Sequence, residues 1–285
     1  MNKQNVLLNF ENFSNSQKNK MKSSCELAEF LGWHIGDGCV SINNRYSEYT
    51  LTGDLIEEYP FYNNVILPTF KKLFSNYVKK EIKLKEYKSN GVCGIYIFDK
   101  NFVRFLQKNF GLKSGKKINI SIPNIIKTDE QKISFLRGLF DTDGSIYYCK
   151  SNFKTVNESW YTKFHYKSKI KLATISKPLI DQVYQLLCDL GFSPRIRKPA
   201  KQKINENMMY GVVLYRKDDT QRWIEEIGFK NPKHQTKVQI WKKFGFCPPK
   251  TTLKQRIKML KGELEPLTFY PGYSLLNYSK IVNYK

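Results

Sequence analysis

The chain has 285 residues, of which 41% are hydrophobic, and its formal net charge is +23 at pH 7 with a pI of about 9.6. No stretch approaches the ~18 consecutive apolar residues of a membrane span, and residues 1–20 are too polar for a signal peptide. Lysines spread along the whole length indicate a folded surface that faces a polyanion, most simply nucleic acid, although a surface kept soluble by lysine is the alternative.

The first half of the chain predicts helices and strands in a fixed order. Residues 1–22 form a polar, mobile lead-in, and Ser23 or Ser24 caps the helix that follows, which has apolar residues at helical spacing. Alternating side chains and turn residues then separate strands from helices. The elements are a helix over 24–36, strands over 39–42 and 46–52, a helix over 55–74, strands over 78–88 and 92–98, and a helix over 101–109.

The second half repeats this order after a connector that contains Pro123. Thr128 or Asp129 caps its first helix, and a polar tip over 155–159 joins its first two strands. The later elements are strands over 145–153 and 161–174, a helix over 178–190, strands over 193–198 and 208–215, and a helix over 218–227. Further helices are expected over 236–244 and 251–263.

The repeated order predicts an internal duplication, which sets the domain boundaries. The predicted divisions are the lead-in 1–22, a first subdomain 23–117, a linker 118–128, a second subdomain 129–245 and a C-terminal extension 246–285.

One short pattern opens both halves. Residues 30–38 read FLGWHIGDG and residues 136–144 read LRGLFDTDG, so Gly32 matches Gly138, Gly36 matches Thr142 and Asp37 matches Asp143. The small residues lie four apart and therefore share one helix face. With no side chain to separate them, two such helices can pack closely, which predicts a helix interface. The interface residues are Gly32, Gly36 and Gly138.

Close packing of the two helices would bring Asp37 and Asp143 together at the helix ends. Two carboxylates repel each other unless a cation lies between them. Oxygen ligands with few carboxylates suit Mg²⁺, with Mn²⁺ as an alternative, and the backbone carbonyls of Gly36 and Thr142 are candidate further ligands. Phosphodiester hydrolysis needs an activated water, a neutralised leaving oxygen and alignment of the two, and a metal ion can provide all three. A single Asp-Gly helix end would be an ordinary solvated terminus; two copies in a basic chain favour a metal site.

Both motifs resemble the signature of the LAGLIDADG homing endonucleases. The second is close to that signature, whereas the first departs from it at Trp33, His34 and Ile35 and by glycine at Gly36. The resemblance covers about residues 24–245. It implies an α+β fold of two pseudo-symmetric αββαββα subdomains, with two curved antiparallel sheets forming a saddle on DNA. It also implies metal-dependent cleavage of both strands.

The resemblance also assigns roles to residues of the catalytic site. The metal-binding acid of the family falls on Asp37 and Asp143, and its active-site basic residue falls best on Lys116 and Lys233. Other lysines close by in the sequence leave the basic assignment open: Lys113, Lys117 and Lys230. Such a lysine would neutralise developing phosphate charge, although an ordinary phosphate contact or a solvated helix-end cation is an equal alternative.

The strands supply candidate DNA-binding residues, because alternate side chains share one sheet face that can enter the major groove. A solvated sheet face is the alternative. The candidates in the first half are Arg45, Tyr46, Lys83, Lys85 and Tyr87. Those in the second half are Tyr148, Lys150, Lys167, Lys169, Lys171, Arg195 and Arg197. If each half covers one turn of DNA, the target is about 20 bp, and the unequal halves argue against a palindrome.

We therefore expect a site-specific endonuclease of double-stranded DNA that spreads an intron or its own gene. It would act as a pseudo-dimeric monomer that needs no protein partner and no membrane. Six cysteines without a Cys-x-x-Cys pair predict reduced thiols and an intracellular protein. The start at Met1 and the lack of a terminal His-Asn pair favour a free-standing or intron-encoded enzyme. An RNA-binding maturase on the same fold is the alternative, and a regulator with a decayed site is disfavoured because both acids are present.

Overall fold

The computed structural model describes residues 24–42, 46–150, 163–197 and 207–270, which form an α+β fold with two four-stranded antiparallel sheets. Within these ranges, no helix has both the length and the apolar character needed to cross a membrane. The strand orders are β1-β2-β4-β3 and β5-β6-β8-β7, so the two sheets have the same topology. The predicted duplication of the fold is confirmed.

The first half begins with the helix α1, whose N-cap Ser24 accepts a hydrogen bond from Leu27 N as the sequence predicts. Its elements are α1 Cys25–Asp37, β1 Gly38–Ile42, β2 Ser47–Asp54, α2 (Tyr59–Phe61, a π turn Tyr62–Ile66, then Leu67–Phe74), β3 Leu84–Tyr87, β4 Val92–Ile97 and α3 Lys100–Phe110.

The second half begins with α4, whose N-cap Thr128 forms a capping box with Gln131. Its elements are α4 Asp129–Thr142, β5 Gly144–Cys149, β6 Lys167–Thr174, α5 Lys177–Asp189, β7 Arg195–Arg197, β8 Tyr210–Leu214 and α6 Lys217–Arg222, which continues into a π turn Trp223–Ile227. Two further helices follow, α7 Pro232–Phe244 and α8 Leu253–Lys261.

Several elements differ from their predicted bounds, and three of them are informative. Helix α2 begins at Tyr59, with Pro60 in its first turn, where a missing N–H costs no hydrogen bond. The π turn Tyr62–Ile66 interrupts it just before Pro68, so the interruption that the sequence predicts near the two prolines is present. The strand predicted over 78–88 is limited to β3. Helix α7 starts four residues earlier than predicted, because the side chain of Asn231 accepts from Lys233 N and caps it. The polar tip predicted over 155–159 lies outside the described residues.

Helices α1 and α4 pack against each other at the glycines that the sequence singled out. A Cβ atom at Gly32 would overlap the carbonyl oxygen of Phe135 and lie 2.6 Å from Leu139 N, and one at Gly138 would overlap the carbonyl oxygen of Glu29. These contacts are with backbone, which cannot rotate out of the way. The absence of side chains at these two positions is therefore what lets the helices approach.

We expect Gly32→Ala to destabilise the protein, although alanine within a helix is normally more favourable than glycine by roughly 1 kcal/mol. Overpacking against backbone should lower the free energy of unfolding by about 1–3 kcal/mol, measured by urea denaturation. Cys25→Ala, at the exposed start of α1, is the control and should stay within about 0.5 kcal/mol of wild type. A Gly32→Ala variant that is as stable as wild type would contradict this packing.

Candidate active site

The packing of α1 on α4 brings two acids together at the ends of the helices. Asp37 is the last residue of α1, and Asp143 is the C-cap of α4. One residue earlier on the first helix, a Cβ at Gly36 would overlap the side chain of Thr142 and lie 3.3 Å from Asp143 N. The two helix ends are thus in contact, and each presents its carboxyl group beside the other.

Both acids lie in surroundings that disfavour negative charge. Burial raises the pKa of Asp37 to about 7, with Glu58 and Asp143 adding to the increase and the hydroxyl of Tyr62 and Lys117 opposing it. Loss of surrounding water also raises the pKa of Asp143; among the neighbouring charges, Lys117 and Lys233 lower it and Glu58 raises it. Each acid therefore responds to the other charges of the site, which form one electrostatic cluster.

A lysine supplies a positive charge at this cluster. The Lys117 ammonium donates to the carbonyl oxygens of Ile35, at 2.9 Å, and of His34 and Gly36. These carbonyls belong to the last turn of α1, where that of His34 also accepts from the N–H of Gly38 and the helix has no N–H left for the other two. Burial lowers the pKa of Lys117, and the charges of Asp143 and Asp37 oppose that shift. An ammonium group thus caps α1 close to both carboxylates.

A third acid connects the site to the second half of the chain. Glu58, only 6% exposed, follows β2. Its Oε1 accepts from Asn231 Nδ2 at 3.0 Å and lies 3.3 Å from Lys233 Nζ, while its Oε2 accepts from Asp54 N at 3.0 Å. Glu58 thereby holds Lys233, at the start of α7, near Asp143.

The sequence reasoning missed three residues of this cluster. Glu58 sits in a turn, and no spacing or motif indicated its place. Tyr62, whose hydroxyl donates to Asp37 Oδ2 at 2.9 Å, lies on the buried face of α2 and has the pattern of an ordinary core residue. Asn231 carried a usable signal, because an Asn-Pro pair before a helical stretch is typical of a cap and a first helical residue.

The neighbouring acid Asp141 has a different environment. It has no exposed surface. Its carboxylate accepts from the backbone N–H groups of Lys230 and Asn231, at 3.0 and 3.1 Å. Burial raises its pKa to about 7, against these hydrogen bonds. Asp141 therefore joins the N-terminus of α7 to α4.

The donor set at the helix ends fits a hard divalent cation. Within the described residues, no group of three or more His, Cys, Asp or Glu side chains is arranged to hold a metal ion. Mg²⁺ needs few protein carboxylates, since it keeps several waters and takes phosphate oxygens. Two acids with raised pKa values and an ammonium already bound to the Gly36 carbonyl mark a place where positive charge is favoured. The carbonyls of Gly36 and Thr142 remain proposed ligands.

The other lysines considered from the sequence lie in different places. Lys116 and Lys113 are exposed in the loop after α3, lining a cavity of about 530 Å³ beside β1. Lys230 Nζ pairs with the buried Glu29 at 2.7 Å, at the α1–α4 interface. The structure thus places Lys117, one residue after the preferred candidate Lys116, beside the acid pair, and it places Lys233 there as the sequence suggested.

The outer face of the first sheet contains two of the residues proposed for DNA contact. Lys85 and Tyr87 of β3 lie opposite Gly94 and Val92 of β4, and both are exposed. The Tyr87 and Tyr96 rings meet edge to face at 5.0 Å. Tyr46, which is exposed, precedes β2, and Lys83, which pairs with Glu81, precedes β3. Arg45 lies outside the described residues.

The outer face of the second sheet is more basic. Lys171 and Arg195 both lie opposite Val213, so they occupy one row across three strands. The other cations of this face are Lys167, Lys169 and Arg197, and Lys150 follows β5. Because alternate residues share a face, these side chains line the same surface.

One predicted DNA-binding residue is wrong. Tyr148 is 6% exposed and stacks on Trp241, with ring centroids 5.8 Å apart, so it belongs to the core. Its neighbour Tyr147 lies opposite Lys169 on the outer face instead. The error is a one-residue shift of register, which moves a side chain to the other face of a strand.

A family comparison identifies part of the chain. Residues 130–228 match the model of a family described as a LAGLIDADG-like domain. Among solved structures, mesophilic variants of the homing endonuclease I-DmoI are similar, with a TM-score of 0.50 and 17% identity. That match covers 73% of this chain and 97% of the other. At this identity, the similarity shows a shared fold.

Two curated proteins are also similar to the chain. The replication factor C small subunit of Methanocaldococcus jannaschii is 26% identical over 214 residues, which are 75% of this chain and 10% of that protein. The corresponding protein of Thermococcus kodakarensis is 26% identical over 214 residues, 75% of this chain and 20% of its own length. The chain therefore spans a small part of either relative, and their names describe much longer proteins.

Proposed function

We propose that the chain, of which residues 130–228 match a LAGLIDADG-like domain, is a site-specific endonuclease that hydrolyses both strands of a DNA duplex with a divalent metal. The observation that supports this most strongly is the acid pair, Asp37 and Asp143, at two helix ends packed without intervening side chains. Residues that only bind DNA would have no need of two carboxylates facing a polyanion.

The residues of the cluster take distinct roles in this proposal. Asp37 and Asp143, with the carbonyls of Gly36 and Thr142, would hold Mg²⁺ or Mn²⁺. The metal, when bound, would neutralise phosphate charge and make water a better nucleophile. Lys117 and Lys233 would flank the phosphate and stabilise the negative charge that develops on it.

Three buried residues would keep this arrangement in place. The hydroxyl of Tyr62 fixes the orientation of the Asp37 carboxylate. Glu58 and Asn231 fix Lys233 at the start of α7. The outer faces of the two sheets would contact the major groove of the duplex. The first sheet would do so through exposed tyrosines and the second through its row of cations.

The test uses DNA that carries the host sequence uninterrupted by the gene, together with an RNA transcript of the flanking region. We expect double-strand cutting at one site with Mg²⁺ and none with EDTA. Selective binding of the transcript, without any cutting of the DNA, would instead indicate the RNA-binding maturase. Cutting at many unrelated sites would contradict site specificity.

A further inference from the structure

A second cavity, of about 660 Å³, lies along the edge strand β5 and reaches Lys233. Its walls come from three parts of the chain: Glu57 after β2, residues 147–150 at the end of β5, and residues 247–251 with Arg256 from the C-terminal extension. Lys233 and Lys237 of α7 line it as well. The cavity therefore begins at the active-site lysine and extends away from it along β5.

The positive charge in this cavity is only partly compensated. Lys233 pairs with Glu58, and Arg256 pairs with Glu57 at 2.8 Å. Within the described residues, no carboxylate forms an ion pair with Lys237 or Lys150. The Lys237 ammonium is half-buried and donates to the backbone carbonyl of Ile146 at 3.2 Å. Burial, followed by the charge of Arg256, lowers its pKa to about 8, with Lys233 adding to this shift and Cys247 and Glu57 opposing it.

The C-terminal extension forms one wall of this cavity and is joined to the rest of the chain by polar contacts. Arg256 of α8 is 1% exposed and donates to Thr236 Oγ1 at 2.9 Å and to the carbonyl of Thr251. The same guanidinium binds Glu57, and Leu253 N donates to Glu57 Oε1 at 2.7 Å. The extension thus bridges from α7 to the first half of the chain, and its polar contacts fix one wall of the cavity.

Lys237 lies one turn beyond Lys233 on the same face of α7. One helical turn advances about 5.4 Å, and a DNA strand advances about 3.4 Å per nucleotide along the duplex axis while it also winds around that axis, so consecutive phosphates are farther apart than this rise. A strand whose phosphate is at Lys233 would therefore bring the adjacent phosphate near Lys237. Lys150, exposed at the end of β5, is placed to contact the same group from the mouth of the cavity.

We propose that the cavity formed by β5, α7 and the C-terminal extension binds a backbone phosphate of the DNA, next to the one that is cut, through Lys237 and Lys150. This deepens the proposed function and rests on its DNA binding, but not on cleavage. It also gives the extension a role, since Arg256 shapes the cavity without contacting DNA itself.

The test measures how the dissociation constant for the host duplex depends on salt, in Ca²⁺ and in EDTA. Each phosphate contact contributes about 0.9 to the slope of log affinity against log salt. We expect Lys237→Met to reduce the slope by about one and to weaken binding by a similar factor for host and unrelated duplexes. Lys237→Arg keeps the charge and should retain most of the slope.

Lys258→Met is the matched control, because Lys258 is exposed on α8 but does not line the cavity. An unchanged slope for Lys237→Met, with an unchanged melting temperature, would overturn the proposal. A second result would also overturn it. If inorganic phosphate raises the melting temperature of wild type but not of Lys237→Met, while the salt slope of DNA binding is the same for both, the cavity binds a free anion and not the DNA backbone. Wild-type binding without cutting would overturn the nuclease alone and leave this inference standing.

Discussion

Asp37→Asn and Asp143→Asn are each expected to reduce double-strand cutting by at least ~1000-fold, as removal of the charge that anchors a catalytic metal would. Both cuts should be lost together. The reason is that the two carboxylates belong to one electrostatic cluster, in which Asp143 contributes to the raised pKa of Asp37 and Glu58 influences both. Single-turnover cleavage of a plasmid, with nicked and linear products quantified separately, measures the effect.

The control for these variants is Asp129→Asn, which removes an exposed carboxylate at the opposite end of α4 and should leave cutting unchanged. A second outcome is also decisive. If Asp143→Asn still nicks one strand at the wild-type rate, each acid serves its own strand independently, and the shared site is wrong. DNA binding in Ca²⁺, measured in parallel, separates loss of chemistry from loss of affinity.

The stability of Asp37→Asn gives an independent check that needs no DNA. The pKa of Asp37 is raised from 3.8 to about 7 in the folded protein, so the folded state binds this proton more tightly than the unfolded chain does. The contribution of Asp37 to the free energy of unfolding therefore falls as pH rises from about 4 to about 7. Above pH 7 and without metal, the amide variant should melt at the same temperature as wild type or higher.

The sequence predicted the fold well because its main signals are local or repeated. Small residues at Gly32 and Gly138, followed by an acid and a glycine, required a close helix pair, and the structure contains it. Strand alternation also gave the outward face of the second sheet, where Lys169 and Lys171 lie. Strand alternation failed at Tyr148, because an aromatic residue suits either face of a strand and only the packing against Trp241 determines which face it occupies.

The site was less predictable, since its remaining parts depend on contacts between distant segments. Glu58 reaches Lys233 across 175 positions of sequence, and Arg256 reaches Glu57 across 199. No periodicity carries such information. The choice between Lys116 and Lys117 was open for a related reason: in a loop that is neither helix nor strand, spacing does not determine which neighbour turns inward.

Lys117→Met is expected to reduce cutting by about 100-fold, as loss of one group that stabilises developing charge does. Lys116→Met is the matched control, since it removes the same charge one residue earlier, from an exposed side chain, and should change the rate less than about 3-fold. The reverse result, with Lys116→Met inactive and Lys117→Met active, would show that the resemblance located the basic residue better than the structure did.

The melting temperature, with and without Mg²⁺, distinguishes two roles for Lys117: a residue of the active site, or only a cap of α1. Its ammonium binds the Gly36 carbonyl, which is also a proposed metal ligand, so a bound cation and this lysine contend for one oxygen. Without metal, Lys117→Met should melt at a lower temperature, because two carboxylates and three carbonyls lose their cation. On adding Mg²⁺, however, the variant should gain more in melting temperature than wild type, because the ion replaces a missing charge and displaces nothing. A residue that only caps α1 would lower the melting temperature equally with and without Mg²⁺.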